Sequence, residues 1–293
     1  MTGNPSDTDK SGFTPQRQEG FFSLRVKTIG GRLTGVQLEA LSKLAETYGR
    51  DEVHITSSQD LEIPFIRLEA LESVRRDLAA GGLFSANTGP GLRTLTACLG
   101  ADVCRRGLAP TQGLAAFLDE CLDGRELPGR FKIGLSGCHN NCLKAESNDI
   151  GLKGGLFPLW SAPDRCTFCG LCQKVCPAGA ITVGERELAF DSVQCVQCGR
   201  CYNKCPQGCW NGRGGWHLSF GGLYGDPETG RRLMWLKTDE KEISAVMNKA
   251  LEYYRRNGQP GERFSRALQR LGWENFEKFM KSHGYAHDST IGY

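Results

Sequence analysis

Cysteine is the residue type whose number and spacing most clearly allow chemistry in this sequence. The chain has 14 cysteines, and cysteine thiolates bind zinc and the irons of iron–sulfur clusters. The first residues are polar and contain no apolar signal-peptide segment. A reducing compartment is therefore expected, in which metal binding by cysteine is far more common than disulfide formation. These features predict a cytoplasmic metalloprotein.

Eight of the cysteines form two runs of one pattern, C-x2-C-x2-C-x3-C-P, at residues 166–177 and 195–206. This is the spacing of bacterial ferredoxins with two 4Fe–4S clusters, in which the fourth cysteine of each run ligates the other cluster. A pair of zinc sites is the alternative, which the trailing prolines and the repeat disfavour. The spacing assigns one cluster to Cys166, Cys169, Cys172 and Cys205, and the other to Cys195, Cys198, Cys201 and Cys176.

Six cysteines lie outside these runs. Cys121 falls among apolar residues at helical spacing, and a buried thiol there packs as a small hydrophobe. Cys209 trails the second run and has no evident partner. The other four are spaced C-x5-C and C-x3-C, which is enough for a third 4Fe–4S cluster. From spacing alone, zinc or plain core cysteines stay open as alternatives. The four are Cys98, Cys104, Cys138 and Cys142.

The composition argues against two classes of protein. A formal net charge of +3 is too small to indicate nucleic-acid binding. No uninterrupted apolar run approaches the length of a membrane span. With 39% hydrophobic residues, the 293-residue chain can form one large core or two modest ones.

The N-terminal part has the element order of a ferredoxin-like unit. Residues 21–28 alternate as a strand does, and Thr34 with Gln37 forms a capping box that begins a helix ending at Gly49. Two short strands and a second helix follow, which gives the order β-α-β-β-α of a split βαβ unit.

The remaining chain predicts an α+β body that a cysteine-rich module interrupts. Residues 239–256 and 262–281 have helical patterns and close the body. The predicted boundaries are a disordered tail at 1–15, a ferredoxin-like half-domain at 16–88, the body at 89–161 and 211–293, and the ferredoxin insert at 162–210.

Two stretches make a resemblance specific, TACLGADVC (96–104) and SGCHNNCLK (136–144). Together they resemble the sulfite and nitrite reductase family that binds a coupled sirohaem–4Fe–4S centre. The resemblance extends from about Gln16 to Phe279 and includes the segments QRQEG, SLRV, NDIGLKGG, LSFGG and GERF. The position of the insert is similar to that in the catalytic subunit of anaerobic sulfite reductase. The resemblance implies sirohaem, three 4Fe–4S clusters, and a bridge from Cys142 to the haem iron.

The resemblance also implies basic residues that hold the oxyanion on the open haem face. LPGRFKI matches the family motif and places Arg130 and Lys132 there, and Arg93 matches a third position. Arginine binds oxyanions but does not release its proton, whereas Lys132 can do both, so we expect Lys132 to act as general acid. The alternative for these residues is an ordinary solvated basic strand end.

The fourth basic position departs from the family pattern. The family motif T-x-R-Q reads TSSQ here, with Ser58 in place of the arginine. We hypothesise that the missing cation weakens substrate binding or alters the preference between sulfite and nitrite, unless a neighbouring arginine replaces it.

Sirohaem carries eight carboxylates, so cations are also expected around it. Gln59, Arg25 and Lys144 match family segments and are the candidate cofactor-binding residues with Cys142. Weaker candidates are Arg17, Lys27, Arg105, Arg106 and Lys153, and Asn140 and Asn141 are expected to fix the cluster loop.

The expected function is the six-electron reduction of sulfite to sulfide, with electrons delivered through the two ferredoxin-type clusters. The alternatives are reduction of nitrite to ammonia at the same centre and an electron-transfer subunit without turnover. No dinucleotide-binding glycine motif occurs, so the electrons must come from a ferredoxin or from a flavin or iron–sulfur subunit. Larger family members have two copies of this half-unit. The single copy here predicts a homodimer or a related partner subunit.

Overall fold

The computed structural model describes residues 12–226, 231–236 and 239–285. The first domain is a four-stranded antiparallel sheet with two helices. Its elements are β1 (Phe13–Pro15), β2 (Phe21–Val26), α1 (Gly35–Tyr48), β3 (His54–Ile55), β4 (Leu61–Arg67) and α2 (Leu71–Ala80). The strands lie in the order β1-β2-β4-β3. The capping box is confirmed: Thr34 accepts from the Gln37 N–H, and Gln37 bonds back to Thr34.

The second domain is built on a five-stranded sheet, which helices from both ends of the domain cover. The strands of this domain are β5 (Gly91–Leu92), β6 (Thr96–Ala97), β7 (Arg130–Phe131), β8 (Ile133–Ser136), β9 (Ile150–Trp160), β12 (Trp210–Phe220) and β13 (Arg231–Leu236). The helices are α3 (Gly100–Val103), α4 (Thr111–Leu122), α7 (Glu240–Asn257), α8 (Phe264–Leu271) and α9 (Trp273–Ser282). The sheet has the order β13-β12-β9-β8-β6. β6 and β8 run parallel, as do β8 and β9, whereas β12 is antiparallel to both of its neighbours.

The cysteine-rich module lies between β9 and β12. These two strands pair over eleven residues, from Ile150 opposite Phe220 to Trp160 opposite Trp210. The module has its own small core around Ile181, Cys201 and Trp210. Its elements are α5 (Leu171–Val175), the hairpin strands β10 (Ile181–Val183) and β11 (Leu188–Phe190), and α6 (Arg200–Lys204).

Two boundaries differ from the sequence expectations. Residues 13–15, assigned to a disordered tail, form β1 and pair with β2; residues 1–11 lie outside the described residues. The last predicted helix is two helices, because Gly272 adopts φ of 86° between them. The cysteine module contains two short helices, each beginning after a left-handed glycine, Gly170 or Gly199. No helix within the described residues is long and apolar enough to cross a membrane.

Candidate iron–sulfur and oxyanion site

The four cysteines outside the ferredoxin-like runs meet around one cavity of about 390 Å³. Cys98 follows β6 and Cys138 follows β8, so the parallel pairing of these strands brings both thiols to one sheet edge. Gln59 from the first domain also lines this space. Cys138 is buried, whereas Cys104 and Cys142 are exposed. We call this space the Cys142 cavity; its cysteines are Cys98, Cys104, Cys138 and Cys142.

Backbone geometry holds the loops of the Cys142 cavity in place. The Gly137 N–H donates to the Cys98 Sγ at 3.1 Å. Gly100 has φ of 62°, and a Cβ there would lie 2.4 Å from the Thr111 Oγ1, so only glycine fits at this turn. Asn141, with φ of 51°, accepts the Ala145 N–H at 2.8 Å. The expectation that Asn141 fixes the loop is therefore confirmed.

Gln59 joins the two domains beside the Cys142 cavity. Its side-chain amide donates to the Ala97 carbonyl at 3.1 Å, and its side-chain carbonyl accepts the Ala97 N–H at 2.9 Å. From the other domain, Gln112 donates to the Gly30 carbonyl at 3.1 Å and the Cys98 carbonyl at 2.9 Å. Both glutamines therefore position the backbone next to Cys98.

The two ferredoxin-like runs fold so that each fourth cysteine crosses to the other set. One cavity, called here the outer cysteine cavity, is lined by Cys166, Cys169, Cys172 and Cys205. The second, the inner cysteine cavity, is lined by Cys176, Cys195, Cys198 and Cys201. Within the described residues, no three His, Cys, Asp or Glu side chains are close enough to hold a single metal ion. Each set of four thiols instead surrounds a space.

Backbone N–H groups point at the sulfurs of these sets, as cluster ligands require. The Ala180 N–H donates to the Cys176 Sγ, and the Gln197 N–H donates to the Cys195 Sγ, both at 3.3 Å. The residues therefore fit 4Fe–4S clusters in their donor atoms, their number and their hydrogen bonding.

The inner cavity is the one that packs against the body of the protein. The Leu156 N–H donates to the Gln197 carbonyl at 2.8 Å. A Cβ on Gly199 would lie 3.6 Å from Leu108, and the Leu108 N–H donates to the carbonyl of Gly137, a residue of the Cys142 cavity. The outer cavity is farther along the module, and its Cys169 is exposed.

The three predicted oxyanion-binding cations lie in one electrostatic cluster. Burial, together with the positive charges of Arg130, Arg25 and Arg263, lowers the pKa of Arg93 to about 10. Burial also lowers the pKa of Lys132, together with the positive charges of Arg263, Arg93 and Arg130. Arg93 donates to the backbone carbonyls of Asn87 and Thr88, which fixes its side chain.

The sequence analysis did not single out Arg263 and Asp149, which complete this cluster. Asp149 is fully buried and accepts from the Arg263 guanidinium at 2.7 Å and from the Lys132 backbone N–H at 2.8 Å. Both residues lie in segments that carry the family resemblance, GERF and NDIGLKGG. The sequence does not predict that they pair, because they lie 114 positions apart. Asp149 therefore links two cations that come from distant parts of the chain.

Asp149 makes the stability of the protein depend on pH. Burial raises its pKa from 3.8 to about 6, although Arg263 and the Lys132 N–H both favour the anion. Between these two pH values the folded state holds a proton that the unfolded chain has lost. Stability from this group is therefore fully present below about pH 4 and is lost as the pH rises through about 6.

We expect Asp149→Asn to remove this dependence. Relative to wild type, the free energy of unfolding of the variant should rise by about 2–3 kcal/mol between pH 4 and pH 7. Anaerobic urea denaturation at both pH values measures it. Loss of the Asp149–Arg263 ion pair changes the free energy of unfolding by the same amount at both pH values. The expectation is therefore contradicted if the free energies of wild type and variant change in parallel with pH.

The Ser58 turn brings a carboxylate toward the cations. The Thr56 N–H donates to the Asp60 carbonyl at 2.8 Å across the turn. Burial raises the pKa of the Asp60 carboxyl, whereas Thr94 and the charges of Arg25 and Arg93 lower it. Arg25 and Arg93 are thus the cations that act on the carboxylate of this turn, and Arg263 acts on Arg93 and Lys132.

Three of the seven candidate cations for the sirohaem carboxylates already have acidic partners. Arg25 pairs with Glu62 at 2.7 Å, and Lys27 pairs with Asp119 at 2.8 Å. Lys153 pairs with Glu146. Lys144 is exposed, has φ of 48°, and lies 6.0 Å from the Tyr224 ring centroid. The other three candidates, Arg17, Arg105 and Arg106, are exposed.

The cations lie near β5 and β7, whereas Cys98 and Cys138 follow β6 and β8, farther along the same two segments. The Arg93 N–H donates to the Phe131 carbonyl, and five residues later the Cys98 N–H donates to the Leu135 carbonyl. Five extended residues span about 16 Å. Arg93 lines a separate cavity of about 880 Å³ between the domains, where Lys27, Arg32 and Arg125 are the other basic residues.

Two family models match this chain. The "Nitrite/Sulfite reductase ferredoxin-like half domain" matches residues 14–81, and the "Nitrite and sulphite reductase 4Fe-4S domain" matches residues 88–285. The second match covers more than half of the chain. The chain therefore belongs to the sirohaem nitrite and sulfite reductase family.

Its relatives include enzymes named for either substrate. The coenzyme F420-dependent sulfite reductase of Methanocaldococcus jannaschii is 30% identical over 169 residues, 57% of this chain and 27% of that protein. One subunit of the anaerobic sulfite reductase of Salmonella typhimurium is 30% identical over 179 residues, 56% of this chain and 52% of that protein. Nitrite reductases of Klebsiella oxytoca and Arabidopsis thaliana match at 31% and 28% identity.

The matches cover between 15% and 52% of the length of these relatives, so the chain spans at most about half of any of them. A crystal structure of dissimilatory sulfite reductase I superposes with a TM-score of 0.71 at 18% identity, covering 89% of this chain and 69% of that one. This likeness confirms the α+β fold with its ferredoxin-like half-domain.

Proposed function

We propose that this protein reduces sulfite to sulfide at a coupled sirohaem–4Fe–4S centre, and that two further 4Fe–4S clusters deliver the electrons. One observation carries the proposal: all four cysteines that the family resemblance selects line one cavity, although they lie up to 44 positions apart. Cys98, Cys104, Cys138 and Cys142 would hold the coupled cluster, and the exposed thiolate of Cys142 suits the bridge to the haem iron. Sirohaem would supply the iron at which the oxyanion is reduced.

The cation cluster supports an enzyme over a pure electron carrier. The pKa values of Arg93 and Lys132 are lowered in part by each other's cationic neighbourhood, which includes Arg130. This repulsion between cations favours binding of an anion. A carrier of electrons has no need of such a group. Lys132 would both bind the oxyanion and deliver a proton to an oxygen that leaves as water.

The position of the module supports an internal electron route. The inner cysteine cavity packs beside Leu108 and Leu156, next to the Cys142 cavity, and the outer cysteine cavity has an exposed cysteine. Electrons from an external ferredoxin, or from a flavin or iron–sulfur subunit, would enter at the outer cavity and pass through the inner one.

The test is anaerobic oxidation of reduced viologen by the sirohaem-loaded protein, with sulfite and nitrite in parallel. A higher kcat/KM for sulfite supports the proposal. A higher value for nitrite replaces it with nitrite reduction to ammonia, the second candidate, which the nitrite reductase relatives and Ser58 favour. Absence of turnover with either substrate leaves the electron-transfer role.

We expect Ser58→Arg to raise the ratio of sulfite to nitrite efficiency about fivefold, because one added ion pair at a partly solvated site contributes about 1 kcal/mol. Sulfite is close to its second ionisation at neutral pH and gains more from a cation than singly charged nitrite does. Ser57→Arg, on the adjacent exposed turn residue, is the control. An unchanged ratio in Ser58→Arg would eliminate this role for the position.

We further propose that a second copy of the chain, or a related subunit, completes the site. Arg93 and the four cysteines line different cavities, and the five residues from Arg93 to Cys98 span at most about 16 Å when fully extended. A two-fold partner can place its cations over the haem that the first copy's cysteines hold.

Mixing two inactive variants tests this arrangement. In a homodimer with shared sites, a dimer of one Lys132→Ala chain and one Cys142→Ser chain has one intact site of two. About half of the dimers in an equal mixture are of this kind, so about a quarter of wild-type activity should return. The variants are unfolded or dissociated reversibly together, and activity is compared with that of each alone. A sedimentation experiment that shows an active monomer would exclude the arrangement.

A further inference from the structure

The outer cysteine cavity contains a fifth thiol that the cluster assignment does not use. Cys209 lines this cavity with the four proposed ligands, and it is 1% exposed. Its backbone N–H donates to the Cys205 Sγ at 3.3 Å. Its side chain faces the same cavity as those of Cys205 and Cys166. Cys209, which had no evident partner in the sequence, therefore contacts the Cys205 sulfur and shares a cavity with the other three proposed ligands.

The inner cysteine cavity provides an internal comparison. The repeat places Cys176 where the other set has Cys205, and Ala180 where the other set has Cys209. The Ala180 N–H donates to the Cys176 Sγ at 3.3 Å, as the Cys209 N–H does to Cys205. The preceding glycines, Gly179 and Gly208, both have left-handed φ angles. The two cavities thus share the backbone hydrogen bond and differ in the thiol.

We propose that the Cys209 thiol donates a hydrogen bond to the ligand sulfurs of the outer cluster and thereby raises its reduction potential. The inference rests on the proposed clusters. Reduction adds one electron to a cluster that four thiolates already make anionic, and no bond forms or breaks while the external donor loses that electron. A hydrogen-bond donor beside the sulfurs stabilises the added negative charge, which shifts the potential upward.

This thiol makes the outer cluster different from the inner one. The backbone N–H bonds to sulfur are the same in both cavities, so the Cys209 thiol is the difference between them. With this thiol, the outer cluster accepts an electron from a weaker reductant than it would with alanine at position 209. The exposed Cys169 lies on this cluster, so the raised potential acts where electrons from another protein would arrive. Cys209 is thus a positioning residue for electron entry and not a ligand.

The test is an anaerobic potentiometric titration of the full-length holoprotein, followed by electron paramagnetic resonance, together with iron and sulfide analysis. We expect Cys209→Ala to keep the iron content of wild type and to shift the potential of one cluster to a more negative value, with the others unchanged. Cys209→Ser keeps a donor and should shift less. Cys121→Ala, at a thiol that lines none of the three cysteine cavities, is the matched control and should shift nothing.

Two results would overturn the inference alone. The first is an unchanged set of potentials in Cys209→Ala with full iron content. The second is loss of a cluster's iron in that variant, which would make Cys209 a ligand. Wild-type protein that binds iron for fewer clusters would instead overturn the cluster assignment, and the inference with it.

Discussion

Replacing Lys132 with alanine is expected to lower kcat by about 10²–10⁴-fold, the usual contribution of a positioned proton donor. The cofactors should remain bound, because Lys132 contacts the fold through its backbone N–H, which donates to Asp149 and is unchanged in the variant. Steady-state kinetics with sulfite, together with absorption spectra and iron content, separate a lost proton donor from a lost centre.

Lys132→Arg is the matched control for this prediction. It keeps the positive charge but does not release a proton, so KM should stay near that of wild type while kcat falls. An arginine variant with wild-type kcat would show that only the charge matters.

The pH profile adds an independent check on Lys132. Burial and the neighbouring cations lower its pKa below the ordinary value of 10.5, whereas Asp149 raises it. Activity that needs protonated Lys132 should therefore decline on the alkaline side at a lower pH than an ordinary lysine allows. Asp149→Asn removes the stabilising carboxylate and should move this decline lower still. Lys132→Arg should abolish it.

Cys142→Ser is expected to abolish turnover and to reduce the iron content by about a third, since one of three 4Fe–4S clusters loses a ligand. The other two clusters should keep their signals, because their cysteines belong to the module beyond β9. Iron and sulfide analysis, electron paramagnetic resonance and the viologen assay measure the result.

Cys121→Ser is the control for the loss of Cys142. Cys121 packs partly buried against the core of the second domain, and its replacement should leave iron content and turnover near wild type. Full iron content and turnover in Cys142→Ser would remove Cys142 from the proposed centre.

The sequence was most informative where spacing alone defines the geometry. The crossing of Cys176 and Cys205 between the two sets follows from the C-x2-C-x2-C-x3-C repeat, and each crosses to the cavity that the spacing assigned. The capping box at Thr34 is equally local. These features depend on residues close together in the chain, so periodicity and spacing could predict them.

The sequence was less informative where distant segments meet. Asp149 and Arg263 contact each other only after α8 packs against the sheet, and a single sequence does not contain that pairing. The partners of Arg25 and Lys27 depend in the same way on tertiary packing. The contact between Cys209 and Cys205 depends likewise on how the module folds around the outer cysteine cavity.

The register of β9 and β12 has a consequence for how this protein could be altered. Trp160 and Trp210 are directly opposed at the end of an antiparallel ladder, so the chain leaves and re-enters the body at neighbouring positions, about 5 Å apart. Residues 161–209 are therefore equivalent to the loop of a long hairpin. A short turn could close the ladder in their place, and the same two strand ends could accept a different electron-carrying module without disturbing the sheet that carries the Cys142 cavity.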